Sequence, residues 1–159
     1  METEEKNMQH DLLMLFRRMI RIDFSAYLNE LSREEFYTLD VLFQHSEEGC
    51  EGMKVSSIAQ ALDISSPAVS RMLGGMERKG YIIRKVNPQN RRNTIVEFTK
   101  SGEKIYERTK DKINGMLAHV IEKVGMEEME KMIQLWNRIA QAFIEETKFE
   151  LNDRKGEQL

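Results

Sequence analysis

The sequence predicts a mainly α-helical chain with one small β-hairpin, and three observations carry that expectation. Apolar residues recur at three- and four-residue spacing along most of the 159 positions, the period of amphipathic helices. Near the middle, two short runs, Tyr81 to Val86 and Thr94 to Thr99, read as strands around the turn formers Asn87 to Asn93. Only two prolines occur, so neither a Pro-rich linker nor a low-complexity tract divides the chain.

The elements follow in order. From about Asn7 to Ser25, Met8, Leu12, Leu15, Phe16, Met19 and Ile20 share one helix face. Ser32-Arg33-Glu34-Glu35 is a capping box, in which the serine hydroxyl and the glutamate carboxylate each satisfy an orphan amide. The helix it opens carries Phe36, Leu39, Leu42 and Phe43 and fades at Ser46, and Gly49-Cys50-Glu51-Gly52 is a loop. Two short helices come next. Ser56 is the expected cap of the first, which buries Ile58, Ala59 and Leu62. Asp63-Ile64-Ser65 makes the turn, and Ser65 or Ser66 caps the second, with Pro67 in its first turn. Val69, Met72, Leu73 and Met76 form the buried stripe of that helix, and Gly80 stops it. After the hairpin, Ser101 to about Val124 is one long helix, Gly125 interrupts, and a last helix spans about Glu127 to Lys148. Its apolar stripe is Met129, Met132, Ile133, Trp136, Ile139, Ala140, Phe143 and Ile144.

Composition narrows the function classes. No stretch approaches the roughly 18 consecutive apolar residues of a membrane span. Met1 to Gln9 lacks the basic and apolar regions of a signal peptide, so a cytoplasmic location is expected. The net charge is −3, yet it is unevenly spread. Ser65 to Lys100 holds eight basic residues (Arg71, Arg78, Lys79, Arg84, Lys85, Arg91, Arg92 and Lys100) against Glu77 and Glu97, a local +6 that leaves −9 elsewhere. Such a face binds phosphate locally while the remainder repels it.

The order helix, helix, strand, hairpin, strand within residues 56–99 is that of a winged helix-turn-helix. The first helix props the second against a major groove, and a hairpin tip with two adjacent arginines suits the electronegative minor groove. The fold class expected is therefore mainly α, a winged helix-turn-helix with a two-stranded β-wing and flanking dimerisation helices. Residues 1–31 are expected to form an N-terminal dimerisation helix, 32–100 the DNA-binding domain, and 101–159 the C-terminal dimerisation helices.

Particular residues carry a resemblance at this point. Leu62-Asp-Ile-Ser-Ser-Pro-Ala-Val-Ser-Arg-Met-Leu73, followed by Met76-Glu-Arg-Lys-Gly-Tyr-Ile-Ile-Arg84, resembles the recognition helix and first wing strand of the multiple-antibiotic-resistance regulator (MarR) family. Asn87-Pro-Gln-Asn-Arg-Arg92 and Val96-Glu-Phe-Thr-Lys-Ser-Gly102 resemble its wing, usually Asp-Pro-x-Asp-Arg-Arg and then Val-x-Leu-Thr-x-x-Gly. The helix layout extends the resemblance over about residues 8–148.

The resemblance implies a homodimeric transcription regulator, usually a repressor, that binds a palindromic operator in double-stranded DNA. Many members release DNA when a small phenolic or lipophilic effector enters a cleft between the dimerisation helices and the winged domain. Carried over by position, Ser66, Ala68, Ser70 and Arg71 face the major groove, while Arg91 and Arg92 take the wing position. Met14, Arg17, Arg21 and Tyr37 lie on the helices that line the effector cleft. Leu12, Phe16, Met132, Trp136, Ile139 and Phe143 are the expected dimerisation residues. Two departures stand out. Asn87 and Asn90 replace the usual wing aspartates, which gives up charge assistance toward the arginine. Gly74-Gly75 replaces polar helix residues at a cost of roughly 1 kcal/mol each relative to alanine.

Other classes find less support. Cys50 stands among Glu47, Glu48 and Glu51, surroundings that do not favour a thiolate, and it falls after the second helix. The reactive cysteine of one branch of the family sits in the first. His10, His45 and His119 are scattered, so no metal or cofactor is expected. No Gly-rich phosphate loop, Gly-x-Ser-x-Gly elbow or His-Glu-x-x-His motif suggests an enzyme. The alternative from another class is a winged-helix protein-interaction adaptor without sequence-specific DNA binding. The +6 window and the paired wing arginines argue against it.

Overall fold

The computed structural model describes residues 2–47, 52–87 and 90–156, with the backbone alone at 2–3, 47, 87, 90–93 and 149–156. Its first helix, α1 (Glu2–Ile20), starts earlier and stops sooner than the apolar spacing predicts. Glutamates 4 and 5 near the start suit the positive end of the helix dipole. Beyond the helix end, the Asp23 carboxylate accepts the Ser25 amide at 2.8 Å, a turn that leads into one 3-10 turn at Ser25–Tyr27. That hydrogen bond holds the Asp23 carboxyl below its ordinary range.

Helix α2 (Arg33–Glu47) opens on the expected capping box. The Ser32 amide donates to Glu35 Oε2 at 2.9 Å, and the Glu35 amide donates to Ser32 Oγ at 3.2 Å. Next come a two-residue strand, β1 (Met53–Lys54), and helices α3 (Val55–Leu62) and α4 (Ser66–Arg78). Two capping expectations need correction. Lys54, in an extended conformation, is the N-cap of α3, so Ser56 lies inside that helix. Ser65 is the N-cap of α4 but makes no side-chain capping bond. The turn between the helices is closed by Asp63 in the left-handed region (φ 52°), a conformation Asp tolerates. Gly80 (φ 73°) ends α4 as expected.

The wing strands are β2 (Ile82–Asn87) and β3 (Asn90–Phe98), antiparallel with Ile82 opposite Phe98 and Val86 opposite Thr94. Here the structure corrects the expectation twice. The strands reach closer to the tip than a seven-residue turn allows, so Arg91 and Arg92 lie within β3. A third strand also joins the two-stranded wing: β1 pairs with β3, Met53 opposite Val96, giving the order β1-β3-β2. Two residues are too few to show an alternation, which is why the sequence carries no strand signal there.

The chain ends in α5 (Lys100–Val124) and α6 (Met126–Gly156), separated by Gly125 at φ 98°. Two compact units divide it, Met1–Ile113 and Asn114–Leu159. Within the first, one core holds Leu39 and Leu42 of α2, Ile58 of α3, and Val69, Leu73 and Met76 of α4. Ile82, Val96 and Tyr106 belong to it as well. Tyr106 is fully buried, and its hydroxyl donates to Asp40 at 2.6 Å, which satisfies the polar atom at the centre of the core.

Candidate nucleic-acid interface

The expected major-groove helix is α4, and its two faces differ in chemistry. Val69, Leu73 and Met76 have no exposed surface, fixing the helix rigidly on the core. Ser66, Ser70 and Arg71 are exposed, and Ala68 is half-buried. The four expected base readers divide between two flanks. Ser66 and Ser70 line a groove of about 310 Å³ with Lys54, Val55, Ser56, Arg84 and Thr94. Ala68 and Arg71 border a second groove of about 750 Å³ beside the start of α2. A convex helix face between two flanking grooves is a shape that admits a double-helical backbone on either side.

The basic residues sort into committed and uncommitted ones. Lys79 Nζ donates to both Glu35 oxygens at 2.8 Å, tying the end of α4 to the capping box of α2. Arg84 Nε donates to Glu77 at 2.8 Å, and Lys85 Nζ to Glu97 at 2.6 Å. Both acids of the basic window thus serve as structural partners of wing cations. The Arg84 hydrogen bond holds the Glu77 carboxyl below its ordinary value. Arg78 Nε donates to the Gly74 carbonyl at 3.2 Å, leaving its charge without a counter-ion among the described residues. Arg71 makes no ion pair among them either. Arg91 and Arg92 stand on the β3 backbone, and their side chains lie outside the described residues.

Glycines 74 and 75 lie on α4 with open space where a Cβ would project. No packing inside the chain therefore requires them. Gly102 is the opposite case: a Cβ there would collide with the Tyr81 carbonyl oxygen. Thr99 completes the same joint, its hydroxyl donating to the Gly80 carbonyl at 2.6 Å and accepting the Gly102 amide at 3.0 Å. The Thr-x-x-Gly part of the wing motif is thus the seam between the wing and α5.

The remaining sequence candidates are more dispersed. Met14, Arg17, Arg21 and Tyr37 are all exposed, the first two on α1, Arg21 just beyond it and Tyr37 on α2. The grooves described here are lined by other residues. Leu12 and Phe16 are half-buried on α1. On α6, Met132, Trp136 and Phe143 are exposed by 50%, 38% and 43%, large values for such side chains, and Ile139 is half-buried. Cys50 lies outside the described residues. Among those residues, no group of His, Cys, Asp or Glu is placed to hold a metal ion, and no helix is long and apolar enough to cross a membrane. Lys54, which lies outside the basic window, also lines the first groove.

A buried-face recognition helix, a propping helix and a β-hairpin beside them define a winged helix-turn-helix protein. Residues 31–94 match the model of the MarR family. An uncharacterized HTH-type transcriptional regulator of Bacillus subtilis, YdgJ, is 26% identical over 122 residues, 77% of this chain and 71% of that protein. Among solved structures, the MepR–DNA complex of Staphylococcus aureus is similar at a TM-score of 0.67 and 26% identity, over 84% of this chain and 96% of that one. Bacillus subtilis YusO shares the fold at a TM-score of 0.61 and 23% identity, over 89% and 97%. Over residues 31–94 the chain is thus similar to the MarR family, and along most of its length to helix-turn-helix regulators. Relatives of this kind are regulators, not enzymes.

Proposed function

We propose that the chain is a cytoplasmic repressor that binds a palindromic operator as a homodimer and responds to a small phenolic or lipophilic effector. The observation that carries the DNA-binding part is the two-faced α4. Val69, Leu73 and Met76 of its apolar stripe are fully buried, while Ser66, Ser70 and the unpaired Arg71 stay exposed beside the wing. In this reading Ser66, Ala68, Ser70 and Arg71 contact base edges, and Arg91 and Arg92 enter the minor groove. MepR, a relative of similar fold, has been solved as a complex with DNA, which supports a duplex as partner.

Dimerisation falls to residues 1–31 and 101–159, with 32–100 as the DNA-binding domain. Leu12, Phe16, Met132, Trp136, Ile139 and Phe143 lie at the dimer interface. The exposed apolar surface of α6 supports this, because a monomer seldom leaves so much in water. Two recognition helices then stand about one helical turn apart, roughly 34–36 Å. Met14, Arg17, Arg21 and Tyr37 line the effector cleft, and an effector acts by favouring a dimer with misspaced recognition helices. A coupling of about 1–3 kcal/mol suffices.

The test is selection of duplexes from a random pool by the purified protein at two salt concentrations. A palindrome with half-sites about one turn apart, bound more weakly at high salt, is expected. If no sequence is enriched and binding is weak even at low salt, the protein is instead an interaction adaptor.

A further inference from the structure

We propose that Lys54 and Ser56, where β1 passes into α3, hold a backbone phosphate of the bound duplex in the groove beside the recognition helix. Resting on the DNA-binding reading above, this adds a contact outside both the basic window and the wing motif.

The groove is lined by Lys54, Val55, Ser56, Ser66, Ser70, Arg84 and Thr94 and holds about 310 Å³. No acid is among its described lining residues, which favours an anion there. Ser66 and Ser70 belong also to the exposed face of α4, so a duplex seated on that face passes the mouth of the groove. Four hydroxyls, on Ser56, Ser66, Ser70 and Thr94, supply donors suited to phosphate oxygens.

The charge in the groove is divided unequally. Arg84 is held by Glu77, whereas Lys54 has no ion pair among the described residues. Its backbone is fixed by pairing with Ile95 in the sheet, so the exposed ammonium starts from a rigid base. Lys54 is also the N-cap of α3 and makes no side-chain capping bond. The first-turn amides of that helix reinforce the same positive potential. The third strand thus has a use beyond completing the sheet: it sets one cation at the edge of the reading surface.

Binding of a random-sequence duplex, measured across a salt series, tests the contact. A lysine on a phosphate contributes about 0.9 to the slope of log affinity against log salt. Lys54→Gln is expected to weaken binding several-fold and to reduce that slope by about 1. Lys54→Arg, which keeps the charge, restores both. Ser56→Ala weakens binding less and leaves the slope unchanged, since a hydroxyl releases no counter-ion. Wild-type affinity and slope in Lys54→Gln, with salt-dependent binding intact in the parent, would overturn the contact alone. A parent protein with no salt-dependent DNA binding would overturn the DNA-binding reading and the contact with it.

Discussion

Arg71 within α4 and Lys79 at its C-cap carry the same charge, and the structure gives them different work. Lys79 spans from α4 to the buried Glu35, whose side chain is 9% exposed against 44% for the lysine. Removing the lysine leaves a carboxylate in the core edge with only the Ser32 amide, among the described residues, to satisfy it. The full penalty for orphaning a buried charge is about 3–5 kcal/mol. With the lysine end half in water, Lys79→Ala should cost about 1–2 kcal/mol. Arg71→Ala should leave stability within about 0.5 kcal/mol, as surface changes do. On DNA the order reverses: Arg71→Ala loses discrimination between operator and random duplex, and Lys79→Ala keeps it. Urea denaturation and competitive binding measure the two effects. Equal losses on both duplexes for the two variants would remove Arg71 from base reading.

The joints between elements explain which motif residues serve the fold. At the seam of wing and α5, Gly102 lets helix backbone touch the Tyr81 carbonyl, and Thr99 fills the hydrogen bonds around it. Gly102→Ala should destabilise by about 1–3 kcal/mol, at the upper end because the obstacle is backbone. In α4 the sign is opposite. Gly74→Ala meets open space, so stability should rise by up to about 1 kcal/mol. A DNA affinity that falls at the same time identifies Gly74 as a place of close approach to the duplex. The end of α4 is tied to β2 by Glu77 and Arg84, and this tie is pH-dependent. The Glu77 carboxyl titrates below its ordinary 4.5 when folded, so in acid the unfolded chain binds more protons. The contribution is present above about pH 5 and fades as pH falls through the folded value. Glu77→Gln should flatten that part of a stability profile measured from about pH 6 to 3.

The whole molecule presents more apolar surface than a lone chain of this size keeps in water. In α6 the exposed set includes Met132, Ile133, Leu135, Trp136, Phe143 and Ile144, and in α1 it includes Leu13, Leu15, Met19 and Ile20. Burial of such side chains is worth roughly 1.5–3 kcal/mol each. Sedimentation at micromolar concentration without DNA should therefore give a dimer. Trp136→Glu should shift it toward monomer, by placing an unpaired charge in the interface. A wild-type monomer under these conditions contradicts the dimeric architecture.

Strong local signals made much of the protein legible in its sequence. The capping box at Ser32–Glu35, the stripe of Val69, Leu73 and Met76, the stop at Gly80 and the long helices all follow from spacing and from residues with fixed conformational preferences. These are properties of neighbours in the chain, and neighbours suffice to specify them. Only the tertiary structure decided what depended on distant partners. Met53–Lys54 becomes a strand because β3, about forty residues on, offers an edge to pair with. Which cations lack a counter-ion was decided in the same way. Glu35, Glu77 and Glu97 claim Lys79, Arg84 and Lys85 across the fold, leaving Arg71 and Arg78 without an ion pair among the described residues and placing Lys54 in the groove beside Ser66 and Ser70. A charge count sees how many positive groups there are, but ion pairing is a matter of distance, and distance between remote residues is set by the fold.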